Sequence, residues 1–236
     1  MSTKGKLCMR KILVTGAGGF VGARILDQWR GRYELCTFPH GFSANSDEAA
    51  VRALIAREKP DVIVHTAALS NTAYCASHPE ESLRANVLLP EWIAKAAVET
   101  GTKLLAFSSD QVYAGCKRSG PLSETLSLAT ANVYGCHKLE AEQRVLAITP
   151  GAVLLRAAWM YDLPGYRLPI RGNLPLNLLS AAKTDTALHF SEQDFRGVSY
   201  VREVIDKLIP AMELPGGVYN FGSGNDCDMF ETVSRF

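Results

Sequence analysis

Apolar positions in this chain follow two alternating rhythms. Short continuous apolar runs occur at Lys11-Ile-Leu-Val-Thr15, at residues 33–38, and at Asp61-Val-Ile-Val-His65, Lys103-Leu-Leu-Ala-Phe107 and Ala152-Val-Leu-Leu-Arg156. Their length and branched side chains suit strands buried on both faces. Between them lie stretches of helical spacing at residues 20–29, 46–59, 80–100 and 131–147, the third with Pro90 inside it. Strand and helix in strict alternation predict an α/β fold, a doubly wound parallel sheet with ligands at the carboxyl ends of its strands. Beyond Trp159 the rhythm stops, and residues 163–175 hold three prolines and two glycines without a clear period. This segment reads as the start of a small substrate-binding lobe. A short strand near Leu188, a helix over 200–212, a strand at 217–221 and a helix beginning near Asp228 follow. The expected division is a nucleotide-binding domain over 1–158, with returns from 185–212, and a lobe over most of 159–236 that is short at its C-terminus.

The turn after the first strand changes the picture from fold to ligand. In Gly16-Ala-Gly18-Gly19-Phe20-Val21-Gly22 a strand ends at glycines and a helix begins. Gly16 can take a tight backbone conformation, Gly19 leaves the main chain bare, and Gly22 lets the helix lie close to the strand. Free amides at the helix start then face an anion. The pattern predicts a Rossmann-type site for a dinucleotide pyrophosphate.

Composition narrows the partners. With 25 basic and 24 acidic residues the net charge is +1, and no long run of one sign suggests nucleic acid or an anionic membrane. No apolar stretch approaches the roughly twenty residues of a membrane helix, and a cytoplasmic protein is expected. The six cysteines form no close pair and no His/Cys cluster has zinc spacing, so free thiols and no metal are expected.

Two segments carry chemistry. Tyr134-Gly-Cys-His-Lys138 sets a phenol and an ammonium one helical turn apart on one face, where a lysine cation favours the phenolate and lowers the phenol pKa from its usual value near 10. Such a phenol can exchange a proton with a substrate oxygen. Phe107-Ser108-Ser109-Asp110-Gln111-Val112-Tyr113 directly follows the fourth strand, at the carboxyl edge of the sheet.

With the glycine loop, the serine turn and the Tyr-x-x-x-Lys helix in this order, the chain resembles the extended short-chain dehydrogenase/reductase family, and within it the dTDP-4-dehydrorhamnose reductases and related sugar-nucleotide reductases. Pro60-Asp-Val-Ile-Val-His-Thr-Ala-Ala68, Leu155-Arg-Ala-Ala-Trp-Met-Tyr161 and a degenerate Glu192-Gln-Asp-Phe-Arg-Gly-Val-Ser-Tyr200 extend the likeness over nearly the whole chain. The resemblance implies Ser109, Tyr134 and Lys138 as the catalytic set, with Ser109 on the substrate carbonyl, Tyr134 as proton donor and Lys138 on the nicotinamide ribose. It also implies a cofactor site of Gly16, Gly18, Gly19, Phe20, Val21, Gly22, Phe38, His40, Ala67, Ala68, Asn86, Ser108, Tyr134, Lys138 and Ala157. Substrate contacts fall to Ser109, Asp110, Gln111, Trp159 and Arg196, with Tyr161 and Arg171 as further candidates. The implied substrate is a ketone on a nucleotide-activated deoxysugar, and a homodimer is in keeping with the family.

Some positions depart from the family pattern. Gln111 stands where related dehydratases carry a glutamate and cannot act as a base, and Asn71-Thr-Ala-Tyr-Cys-Ala replaces an acidic cluster through which a metal would bind. The second strand ends Thr37-Phe38-Pro39-His40 without the acid that grips the ribose of NAD, which favours NADP(H) over NAD(H). His40, Ser43 and Arg24 are the candidates near its phosphate. Two other readings share the same motifs: an epimerase that uses NAD, and a non-catalytic NADP-binding regulatory subunit resembling the beta subunit of methionine adenosyltransferase.

Overall fold

The computed structural model describes residues 9–118, 120–165, 167–170 and 173–235. Its strands are β1 (Lys11–Thr15), β2 (Glu34–Thr37), β3 (Val62–His65), β4 (Lys103–Ser109), β5 (Val153–Ala157), β6 (Trp159–Tyr161), β7 (Val198–Tyr200) and β8 (Gly217–Phe221). Its helices are α1 (Phe20–Trp29), α2 (Phe42–Asn45), α3 (Glu48–Glu58), α4 (Thr72–Ser77), α5 (Pro79–Leu83), α6 (Leu89–Thr100), α7 (Val133–Ile148), α8 (Leu174–Thr184), α9 (Val201–Ala211) and α10 (Met229–Ser234). Six strands pair in parallel in the order β2-β1-β3-β4-β5-β8, while β6 and β7 make a separate two-stranded ribbon. This is an α/β Rossmann-like fold.

The continuous apolar runs are explained by helices on both faces of the sheet. Val51 and Ile55 of α3, Ile93 and Ala97 of α6 and Val145 of α7 cover Leu13, Ile63, Leu104 and Leu154 on one face. On the other, Ile25 and Trp29 of α1 and Ile205 and Leu208 of α9 cover Ile12, Val14, Val62, Val64, Leu105 and Leu155. Because β2 and β3 flank β1 on opposite sides, the connections leaving β1 and β3 diverge, and a crevice opens at their carboxyl ends.

Three expectations from the sequence need correction. Residues around Leu188 form no strand and Leu188 is exposed; the edge of β6 is taken by Val198–Tyr200 instead, and a strand without a partner has nothing to satisfy its backbone. The proline-rich segment contains α8, whose cap Asn173 accepts from the Leu176 amide at 3.3 Å. Pro175 sits in its first turn, where a missing N–H costs nothing, so this proline starts a helix rather than breaking one. The long stretch over 80–100 is divided into α5, a π-helical turn Arg84–Leu88 and α6, and Pro90 lies in the first turn of α6, directly after the π-helical turn.

One buried ion pair ties the sheet to the lobe. Arg24 on α1 donates through Nε to Asp162 at 2.6 Å and through Nη1 to the Phe20 and Pro169 carbonyls at 2.8 and 2.9 Å. Both charged side chains are almost fully shielded, at 1% and 3% exposure. Arg24 therefore anchors the segment after β6 and is not on the cleft wall, contrary to its candidacy as a phosphate ligand.

Candidate active site

A cleft of about 1200 Å³ runs along the carboxyl edge of the sheet, from the glycine turn past β3 and β4 to the start of β6. Gly16 has φ +68°, and a side chain there would meet the Ala67 amide at 2.7 Å. The Gly19 amide donates to the Gly16 carbonyl at 2.8 Å, which closes the turn. A Cβ on Gly22 would sit 2.2 Å from that same carbonyl, so the third glycine sets how closely α1 approaches β1 and does not itself face the cleft. A Cβ on Gly18, by contrast, would point into open space. No side chain caps α1 at Gly19. The turn is thus a bare cradle of backbone at a helix N-terminus, which fits a pyrophosphate.

The second wall is built from β3. Thr15 Oγ1 accepts the Thr66 and Ala67 amides at 3.2 and 3.3 Å, so its own proton goes to His65 Nδ1, 2.7 Å away. Burial pushes the His65 pKa down to about 3, with the Lys138 charge acting in the same direction, and the ring is neutral. Asn86 lies beneath Ala67 and Ala68 and not in the cleft: its Oδ1 accepts from the Leu69 amide at 3.1 Å, and its Nδ2 donates to the Leu69 carbonyl at 3.0 Å and to Ser82 Oγ at 3.1 Å. It is a positioning residue for the Ala-Ala turn.

The third wall carries the reactive groups. Asn132 caps α7 by accepting from the Gly135 amide at 2.8 Å and donates to Gln111 Oε1 at 3.0 Å. A side chain at Gly135 would lie 2.4 Å from the Gln111 carbonyl, so this glycine allows α7 to press onto the turn Asp110–Tyr113. Tyr134 is thereby brought beside Ser109. Burial raises the Tyr134 pKa to about 12, against a hydrogen bond with the Ser109 hydroxyl and together with the nearby Asp110 charge. Lys138 donates from Nζ to the Phe107 carbonyl at 2.7 Å. Burial lowers its pKa to about 8, and Glu142 and Cys75 oppose that fall. The sequence reading that Lys138 lowers the tyrosine pKa is therefore corrected: burial dominates both groups, the ammonium is turned to a backbone carbonyl, and the phenol keeps its proton.

Gly16, Gly18, Gly19, Phe20, Val21, Phe38, His40, Ala67, Ala68, Ser108, Ala157, Asp110, Gln111, Trp159 and Arg196 all line the cleft. Ser108 does so while giving its hydroxyl to Glu142. Arg196 stacks over the Trp159 ring at 4.6 Å and pairs with Asp194 at 3.0 Å and Asp110 at 3.8 Å. Burial raises the Asp110 pKa, with Arg196 working against it. Tyr161 instead packs on Tyr200, with ring centroids 5.7 Å apart. Arg171 lies outside the described residues. The structure also brings Arg84 to the wall below β2, where it donates to the Ala44 carbonyl at 3.0 Å and to the Ser46 carbonyl. Arg84 is far from β2 in sequence and arrives from the π-helical turn. No cluster of three metal-ligating side chains occurs among the described residues.

The chain matches the RmlD substrate binding domain family over residues 9–232 and belongs to that family. The dTDP-4-dehydrorhamnose reductase of Aggregatibacter actinomycetemcomitans is 28% identical over 229 residues, covering 93% of this chain and 75% of that protein. The Xenopus laevis methionine adenosyltransferase 2 subunit beta is 35% identical over 161 residues, covering 64% of this chain and 47% of that protein. Among solved structures, the dTDP-4-dehydrorhamnose reductase of Yersinia enterocolitica superposes with a TM-score of 0.82 at 26% identity, covering 95% of this chain and 78% of that one.

Proposed function

We propose that this protein is an NAD(P)-dependent reductase of a ketone on a nucleotide-activated deoxysugar, with NADPH favoured over NADH. The observation that carries the reading is the buried Tyr134 phenol at the wall of the cleft that Ser109 also lines, one helical turn from Lys138. The resemblance to reductases across nearly the full chain supports it. So does the end of β2, where Phe38, Pro39 and His40 line the cleft without an acid to grip a ribose hydroxyl.

Gly16, Gly18 and Gly19 would hold the cofactor pyrophosphate and Lys138 the nicotinamide ribose. NADPH, when bound, supplies the hydride. As negative charge grows on the ketone oxygen, Ser109 donates a hydrogen bond to it and Tyr134 transfers its proton. Lys138 holds positive charge nearby. Asp110, Gln111, Trp159 and Arg196 surround the sugar and its nucleotide, the Arg196 guanidinium, oriented by Asp194, offering its charge to phosphate oxygens. The same proposal assigns residues 1–158, with returns from 185–212, to cofactor binding and most of 159–236 to substrate binding. It also places the chain in the cytoplasm, working as a homodimer, which sedimentation checks. Cys36, Cys75, Cys116, Cys136 and Cys227 are free thiols, in keeping with a reducing compartment, and no described helix is long and apolar enough to cross a membrane.

Turnover of NADPH and NADH against a panel of nucleotide 4-ketosugars tests the reading, with NADPH expected to give the higher kcat/KM. Two further results are expected. The value of kcat/KM should fall as pH rises through about 8, because Lys138 is charged below that pH and neutral above it, while Tyr134, at about 12, stays protonated throughout. A flat profile from pH 7 to about 9.5 would separate Lys138 from the reaction. Gly22→Ala places a methyl 2.2 Å from the Gly16 carbonyl and forces the turn open. At about 1–3 kcal/mol for such overpacking, NADPH Kd should rise about 5- to 150-fold in a fluorescence titration.

A second reading has one observation in its favour: the higher identity, 35%, to a methionine adenosyltransferase 2 beta subunit over 161 residues. A non-catalytic regulatory chain would form a stoichiometric complex with a methionine adenosyltransferase and show no turnover with any ketosugar.

A further inference from the structure

We infer that Glu142 is a positioning residue for Lys138: clamped by Arg156 and Ser108, its carboxylate keeps the lysine ammonium charged inside the protein. The inference deepens the reductase reading, because it concerns the lysine on which that reading relies.

Tyr134, Lys138 and Glu142 stand at intervals of four along α7 and form one stripe, with exposures of 6%, 5% and 4%. The first two face the cleft. Beneath it lies a separate cavity of about 20 Å³, whose walls include both Lys138 and Glu142 together with His65 and Ser108. Glu142 cannot swing away. Arg156 on β5 reaches it with Nη2 at 2.7 Å and Nε at 3.0 Å, and Ser108 donates its hydroxyl from β4. Arg156 is itself fixed by Tyr113 Oη at 2.7 Å and by the Tyr113 ring, 4.9 Å from its guanidinium carbon. Two N–H groups of one guanidinium and a serine hydroxyl thus donate to this carboxylate.

Groups from four elements face Lys138. From β3 comes His65, neutral because burial strips its proton and Thr15 donates to its Nδ1. From β4 come the Phe107 carbonyl and the Ser108 hydroxyl, and from α4 comes Cys75. From α7 itself come Tyr134, which keeps its proton, and Glu142. Glu142 is the carboxylate in this set, and burial of an ammonium without one would neutralise it. The Ser108 hydroxyl thus acts on the site through Glu142, whereas the neighbouring Ser109 acts on it directly.

The test is an NMR titration of the cofactor-free protein carrying ε-13C lysine, with the Lys138 signal assigned by its loss in Lys138→Arg. In the unaltered protein the signal should titrate near pH 8. Glu142→Gln, nearly the same shape without the charge, should lower that midpoint by about one pH unit or more. Glu142→Asp, a worse fit that retains the charge, should leave it near its original value. If Glu142→Gln fails to fold because Arg156 is stranded, the double variant Glu142→Gln with Arg156→Met removes both charges and must still lower the midpoint. A midpoint unmoved by loss of the carboxylate, or moved alike by Gln and Asp, overturns the inference. The alkaline limb of kcat/KM should follow the NMR midpoint. If the midpoint moves but no variant or parent turns over a ketosugar, the inference stands and the reductase reading falls.

Discussion

A Tyr134→Phe variant is expected to lose about 10²- to 10⁴-fold in kcat while binding NADPH as the parent does. The substitution removes one oxygen from a side chain that is 6% exposed and leaves its ring in place, so the cleft and α7 keep their shape. What disappears is the acid. Burial holds the phenol proton with a pKa of about 12, and that proton is released when negative charge develops on an oxygen beside it. Ser109 retains its hydroxyl in the variant and accounts for the residual rate. Steady-state kinetics alongside a fluorescence titration of NADPH separate the two effects. Full turnover in the variant would move the proton donor elsewhere, and Asp110, whose buried carboxyl titrates above its ordinary range, would be the next group to replace.

Arg24→Met is expected to destabilise the fold by about 3–5 kcal/mol, the usual cost of leaving one member of a buried ion pair without the other. Asp162 would remain 3% exposed with its 2.6 Å partner gone, and the Phe20 and Pro169 carbonyls would each lose a donor. For a chain of this length the loss corresponds to about 6–20 °C in Tm. Urea or thermal denaturation measures it. The double variant Arg24→Met with Asp162→Leu should recover much of the loss, since an apolar pair of similar volume is often as stable as the ions it replaces. If Arg24→Met unfolded at the parent's midpoint, the pair would contribute nothing to joining α1 to the lobe.

Arg24 also marks the boundary of what the sequence discloses. Gly16, Gly19, Gly22, Tyr134 and Lys138 were legible because their work is local: a turn needing positive φ, a close approach within seven residues, one turn of helix. The six strands of the main sheet and α1, α3 and α7 are legible for the same reason, from the period of their apolar positions. Asp162 lies 138 positions from Arg24, and no spacing rule joins them. The same holds for Arg84, whose carbonyl partners Ala44 and Ser46 belong to another connection, and for Glu142 with Arg156, which meet only because α7 lies against β5. In the lobe, α8 carries Pro175 in its first turn and β7 needs β6 as a neighbour, so local propensity points away from the elements that tertiary pairing selects. Spacing reports the nearness of Tyr134 and Lys138 but not the burial that dominates the pKa of each.

The measurement that bears most directly on the proposed reaction is the stoichiometry of NADPH oxidised per nucleotide 4-ketosugar consumed, with the sugar product identified. One NADPH consumed for each ketone reduced to an alcohol, by a protein whose Tyr134→Phe variant does neither, is the expected result. Conversion of the sugar with no net loss of NADPH would contradict it and identify an epimerase, and binding of NADPH with no conversion of any ketosugar would contradict it in favour of a regulatory chain.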